Sequence, residues 1–150
     1  MAFINHCGAS LISLDRLGEL NDPVPYTNTH YPIRHDVFVN MAKDAITKGG
    51  FEIKSEEYSL LQVDDGKTKK DNMFGLLKVQ SRREVMKDTG KVVGLRNSGS
   101  MDFRGVLGCG GECFVCDNLV FSAEIIVGRK HTKNIMVDLP GLMTAAVERL

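Results

Sequence analysis

Two runs of the chain collect side chains that bind anions. Gly94-Leu95-Arg96-Asn97-Ser98 sets a guanidinium, an amide and a hydroxyl in sequence, and Gly128-Arg129-Lys130-His131-Thr132-Lys133-Asn134 carries three fixed positive charges and one titratable ring. Both runs end stretches that read as strands. If the two strand ends meet at one sheet edge, Arg96, Arg129, Lys130, His131 and Lys133 form a patch whose cations contact phosphate oxygens, with Asn97 and Ser98 adding hydrogen bonds. The competing reading is a solvated hairpin rim. A third basic run, Lys67, Lys69 and Lys70, lies among Asp64, Asp65 and Asp71 and reads as a soluble loop.

Metal and cofactor chemistry find less support. Cys109, Cys113 and Cys116 crowd one region, but a structural zinc site wants four ligands, usually as two short pairs. The fourth here would have to be His131, His6 or Cys7, and on a strand Cys113 and Cys116 point to opposite faces. The cysteines therefore read as reduced, small hydrophobes, and no metal or cofactor is expected. No His-x-Glu, His-x-His or HExxH pattern, nucleophile elbow or phosphate loop occurs, so no catalytic residue is assigned. His35 precedes a helix cap and reads as satisfying backbone groups there. Gly108-Cys109-Gly110-Gly111 reads as a tight turn.

These residues must be positioned by a small set of elements. Val37 to Lys48 has a helical apolar stripe, with Asp36 as its cap and Gly49-Gly50 as its stop. Strand patterns follow at Phe51–Ile53, Tyr58–Val63, Met73–Gln80 and Lys91–Asn97. Asp64-Asp65-Gly66 forms a turn, and Ser81–Gly90 is a polar connection. Glu112–Asp117 and Leu119–Val127 read as two more strands or one long bent one. The last element is a helix capped by Asp138 with Pro140 in its first turn. Its stripe, Leu139, Leu142, Met143, Ala146, Val147 and Leu150, either docks on its own sheet or meets a partner. This order predicts an α+β fold, an antiparallel sheet of about five strands with flanking helices on one face. Residues 1–30 read as an irregular arm that packs somewhere, and 31–150 as the single domain.

Composition sets the outer limits. The chain has 150 residues, 43% hydrophobic and 25% charged, close to the globular average, which excludes disorder, collagen and coiled coil. Nineteen basic and nineteen acidic side chains cancel, so any nucleic-acid contact must be a local patch. No apolar run approaches the ~18 residues of a membrane helix and no secretory signal is visible, so the expected setting is cytoplasmic, with no membrane partner.

Taken in order, Pro32-Ile33-Arg34-His35, Gly49-Gly50-Phe51-Glu52, Val93-Gly94-Leu95-Arg96-Asn97-Ser98, Phe114-Val115-Cys116-Asp117-Asn118-Leu119 and Arg129-Lys130-His131-Thr132 resemble the DUF932 family of phage- and plasmid-borne proteins, over residues 26–135. The resemblance implies a mobile-element origin and a host cytoplasm. In that family histidine and aspartate often follow the Arg-Asn-Ser run, whereas Gly99 and Ser100 stand here, which argues against acid–base chemistry at this place. Family members also continue in helical sequence beyond this point, which implies a short form or a fragment.

The leading expectation is an accessory protein of a phage or plasmid that binds DNA or RNA through the basic strand ends, in recombination or replication. The alternative is a protein–protein module, a host-defence inhibitor or a self-assembling oligomer, that uses the C-terminal apolar helix. A nucleotide or phosphoester enzyme using His131 ranks last.

Overall fold

The longest pair of elements grows from one turn. Gly66 takes a φ of 84°, in the left-handed region that glycine enters at no steric cost. The chain reverses there between β2 (Phe51–Asp64) and β3 (Lys69–Ser81), which stay antiparallel from Asp64↔Lys69 to Phe51↔Ser81. A bulge between Ile53 and Ser55 leaves Lys54 without a partner in the register. One extra residue changes the parity of a strand. Phe51 and Ile53 before the bulge therefore share a face with Glu56, Tyr58, Leu60 and Gln62 after it. The two strands expected at Phe51–Ile53 and Tyr58–Val63 are one strand, with the bulge at the break in the pattern.

The computed structural model describes residues 10–25, 27–67, 69–82, 91–100, 104–110 and 125–149. Adding β1 (Ser10–Ile12), β4 (Lys91–Ser98), β5 (Gly105–Gly110) and β6 (Ile125–Arg129) gives a six-stranded antiparallel sheet whose spatial order is its chain order. Six strands replace the expected five or so. Two strands are unexpected: β1, in the arm read as irregular, and β5, whose Gly105, Gly108 and Gly110 mimic turn composition; of the tight turn expected over Gly108–Gly111, the described residues Gly108–Gly110 are strand. Of the strands expected over Glu112–Asp117 and Leu119–Val127, only Ile125–Val127 falls within the described residues, in β6.

The N-terminal arm is more regular than expected. β1 pairs with Tyr58–Leu60 of β2, and a short helix, α1 (Leu14–Gly18), buries Leu17. Ser13 caps it, its Oγ accepting from the Arg16 N–H at 3.2 Å. Residues 1–9 lie outside the described residues.

Helix α2 (His35–Lys48) begins two residues earlier than expected, with Arg34 at the cap position. Asp36 is therefore inside the first turn, and its carboxylate accepts from Arg34 Nε at 3.0 Å instead of capping. Helix α3 (Ile135–Glu148) likewise starts ahead of Asp138, so Pro140 falls in its second turn and removes one main-chain donor there.

Both helices cover one face of the sheet. α2 packs over β2, β3 and β4, α3 over β5 and β6, and the two helices pack against each other. Phe38, Ile46, Leu77, Leu95, Leu107, Leu139 and Met143 are all fully buried in the shared core. Leu139, Met143, Ala146 and Val147, four members of the stripe offered to a partner, are therefore core residues. Leu142 is 39% exposed, and Leu150 lies outside the described residues. Among the described residues no helix is long and apolar enough to cross a membrane.

Candidate functional site

The helix side of the sheet holds one polar chain inside the apolar core. In β4, Val93, Leu95 and Asn97 alternate onto the face that α2 covers, while Arg96 and Ser98 turn to the other. Asn97 is fully buried. Pro32 keeps the chain from starting a helix early, so His35 arrives at the first helical position, beside Asn97. Asp71 is carried there from the start of β3, and His131 from the loop between β6 and α3.

The geometry assigns the protons. Asn97 Nδ2 lies 2.9 Å from the Ile33 carbonyl and 3.0 Å from His35 Nδ1, and Asn97 Oδ1 lies 2.7 Å from His131 Nε2. An amide nitrogen only donates and an amide oxygen only accepts. His131 therefore donates from Nε2, Asn97 donates to both Ile33 and His35 Nδ1, and His35 donates from Nε2 to Asp71 Oδ1 at 2.9 Å. Gln62 Nε2 donates to the same carboxylate oxygen at 3.1 Å. The result is a one-directional run of hydrogen bonds, His131 to Asn97 to His35 to Asp71, drawn from four separate parts of the chain.

Electrostatics follow from burial. Desolvation pushes the His131 ring down to about 4, with the neighbouring His30 and His35 acting in the same direction. The His30 ring stands edge-on to it, 6.2 Å between centroids, and is lowered by burial as well. For Asp71 desolvation acts upward, but the hydrogen bonds from His35 and Gln62, with the charge of Lys69, outweigh it and hold the carboxyl below its ordinary value. A crevice lined by Leu17, Pro23, Ile33, His35 and Asp71 opens over the carboxylate. Its volume of about 10 Å³ leaves room for a water rather than a substrate.

The N-terminal arm is tied over this place. Arg34 bonds Asp22, Asp36 and, at 2.9 Å, the Gly18 carbonyl, while the Tyr31 N–H donates to the His131 carbonyl at 2.9 Å. On the opposite sheet face Ser98 Oγ donates to Asn72 Oδ1 at 2.8 Å, and Ser100 Oγ accepts from the Asp71 N–H at 3.0 Å.

The residues expected to form one anion patch are thus divided. Asn97 and His131 come together, but buried and bonded to each other. Arg96 and Ser98 lie on the far side of the sheet, because neighbours along a strand alternate. The Asn97, Ser98 and His131 polar atoms that were expected to meet phosphate are engaged inside the protein. Arg129 pairs with Asp138 at 2.8 Å, and Lys130 and Lys133 are exposed on the loop that His131 anchors.

Sequence reading missed Arg104. The β5–β6 register sets Gly105 opposite Arg129, and the Arg104 side chain passes 4.0 Å from where a Cβ on Gly128 would lie. A lone arginine before an unrecognised strand gives no local signal. His35 and Asp71 were also missed as partners, one read as a backbone satisfier and the other as part of a charged loop. Cys109 is buried in β5; Cys113 and Cys116 lie outside the described residues. Among the described residues no group of three or more His, Cys, Asp or Glu side chains is arranged to hold a metal ion.

No protein-family model, curated protein or solved structure matches the chain.

Proposed function

We propose that this protein binds nucleic-acid phosphates through a basic strand end made of Arg104, Lys130 and Lys133, as an accessory protein of a phage or plasmid acting in the host cytoplasm; Arg129 turns to the helix face, where it pairs with Asp138. One observation carries the reading: the β5–β6 register brings Arg104 beside the end of β6, on the face of Gly128, next to the segment that bears Lys130 and Lys133. Burial of His131 supports it further. The ring anchors the loop from inside, so Lys130 and Lys133 project from a fixed backbone rather than a loose one. Three cations near one strand end of a chain of zero net charge make a local site, suited to backbone contacts without base readout. The resemblance to DUF932 supports the mobile-element setting.

The test is fluorescence anisotropy with labelled single-stranded and duplex DNA and RNA at low and moderate salt. Micromolar binding is expected. Its log–log salt slope should be roughly −2 to −3, since each neutralised phosphate contributes about −0.7 to −0.9. Absence of binding at 50 mM salt (roughly the low end of that range) overturns the reading. A protein–protein role is favoured by a separate observation, the exposed Val137, Gly141 and Ala145 on the outward face of α3.

A further inference from the structure

Helix α3 is apolar on both sides. Ile135, Leu139, Met143, Ala146 and Val147 face the core, as an amphipathic helix requires. The opposite side should then be polar, yet Val137 is 79% exposed, with exposed Gly141 and Ala145 following it at intervals of four; Met136, 51% exposed, lies about 100° round from Val137, on the line of the core stripe. Beside this face a groove of about 360 Å³ runs between α2 and α3, lined by Val37, Met41, Pro140 and Thr144 among others. Exposed apolar helix of this kind marks an interaction surface.

The charges at its two ends say what fits. At the start of the helix the exposed Lys133 and Asn134 sit at the positive end of the helix dipole. At the other end the exposed Glu148 lies on the line of Val137 and Gly141, whereas Arg149 is turned about 100° away from it. A second α3 laid antiparallel and centred on Gly141 brings Val137 level with the partner's Ala145. The same placement sets Asn134 and Lys133 beside the partner's Glu148, and by symmetry does so twice. Gly141, where a Cβ would meet nothing within 4 Å, lets the two backbones approach at the centre.

We propose that the outward face of α3 is a homodimer interface, a second copy of this chain packing its α3 antiparallel across Gly141. Lys133 enters both this inference and the nucleic-acid reading, but the readout here is mass and not binding, so each can fail without the other.

Sedimentation velocity of the full chain over a range of micromolar concentrations tests it. A concentration-dependent species of twice the chain mass is expected. Val137→Glu should weaken the dimer at least tenfold while leaving the far-ultraviolet circular dichroism unchanged. Glu148→Lys should weaken it as well, and adding Lys133→Glu in the same chain should restore it, which keeps the test valid if Val137→Glu perturbs folding. Gly141→Cys should give an oxidised dimer crosslinked at position 141, identified by peptide mass spectrometry. A monomer at every concentration overturns the proposal. So does a dimer indifferent to both Val137→Glu and Glu148→Lys, or one that Gly141→Cys leaves uncrosslinked.

Discussion

His131 Nε2 sits 2.7 Å from Asn97 Oδ1, and this bond ties the loop before α3 to the centre of the sheet. Asn97 is the hub, since its other atom reaches Ile33 and His35. Asn97→Ala would strand two donors or acceptors on histidines and one main-chain carbonyl in the core. Each buried group left unsatisfied costs about 1–3 kcal/mol, so a loss of about 3 kcal/mol or more is expected in urea denaturation. Ser98→Ala, on the opposite face, should lose only about 1 kcal/mol, because Ser100 Oγ also lies within reach of Asn72 Oδ1, at 3.3 Å.

The same hub dictates a pH dependence. The folded His131 ring titrates at about 4, against 6.5 for an unperturbed ring. Between those values the unfolded chain binds a proton that the folded chain refuses, so stability falls as pH drops from about 6.5 to about 4. A displacement of that size is worth about 3 kcal/mol. His30, lowered by burial, adds in the same direction. Asp71 acts in a lower window: its depressed carboxyl contributes stability above the unfolded carboxylate value, and loses it as pH falls through the folded one. His131→Gln keeps a donor for Asn97 but cannot titrate. Urea midpoints taken between pH 7 and pH 4 should therefore be flatter in that variant.

Glycines at two places should respond oppositely to alanine. At Gly105 an added Cβ would lie 2.8 Å from Phe38 Cε2 in the packed core, so Gly105→Ala should destabilise by about 1–3 kcal/mol. At Gly141 the same change meets open space on an exposed helix, where alanine is favoured by about 1 kcal/mol. Thermal unfolding at a concentration that holds the oligomeric state fixed compares the two.

If the basic strand end holds phosphates, Lys130→Ala with Lys133→Ala should weaken nucleic-acid binding about equally across sequences and flatten the salt dependence by about two phosphate contacts. Both side chains are exposed, so the melting temperature should not move at a concentration where the chain is monomeric. Arg129→Ala also breaks the partly exposed pair with Asp138, a loss of about 0–1 kcal/mol.

How far these features could be read from sequence depended on how local their causes are. The α+β class and the helix-on-one-face arrangement were legible, because the stripes of α2 and α3 and the alternation of β3 and β4 are periodic over many residues. The bulge at Lys54 was legible as a break, though it was read as two strands. Strand β5 was not, since three of its six residues are glycine and pairing on both sides is what makes it a strand. The caps at Arg34 and Asn134 use no side-chain bond, so Asp36 and Asp138 drew the boundaries inward. The polar hub could not be seen, because His35, Asp71, Asn97 and His131 are far apart in sequence and meet only where α2 and the β6–α3 loop pack on β3 and β4. Treating Arg96-Asn97-Ser98 as one surface ignored the alternation that sends Asn97 into the core.

The sheet's neighbour-to-neighbour order has a consequence for synthesis on the ribosome. Every strand can zip onto the one made just before it, so sheet growth needs no strand to wait for a distant mate. Helix α2 is different. Its apolar side gains its helical neighbour only when α3 has been made, from Lys48 to Ile135 a delay of roughly 4–17 s at about 5–20 residues per second. During that interval the side of α2 that will meet α3 stays uncovered, and the emergence of His131 followed by α3 closes the polar chain and the apolar core together.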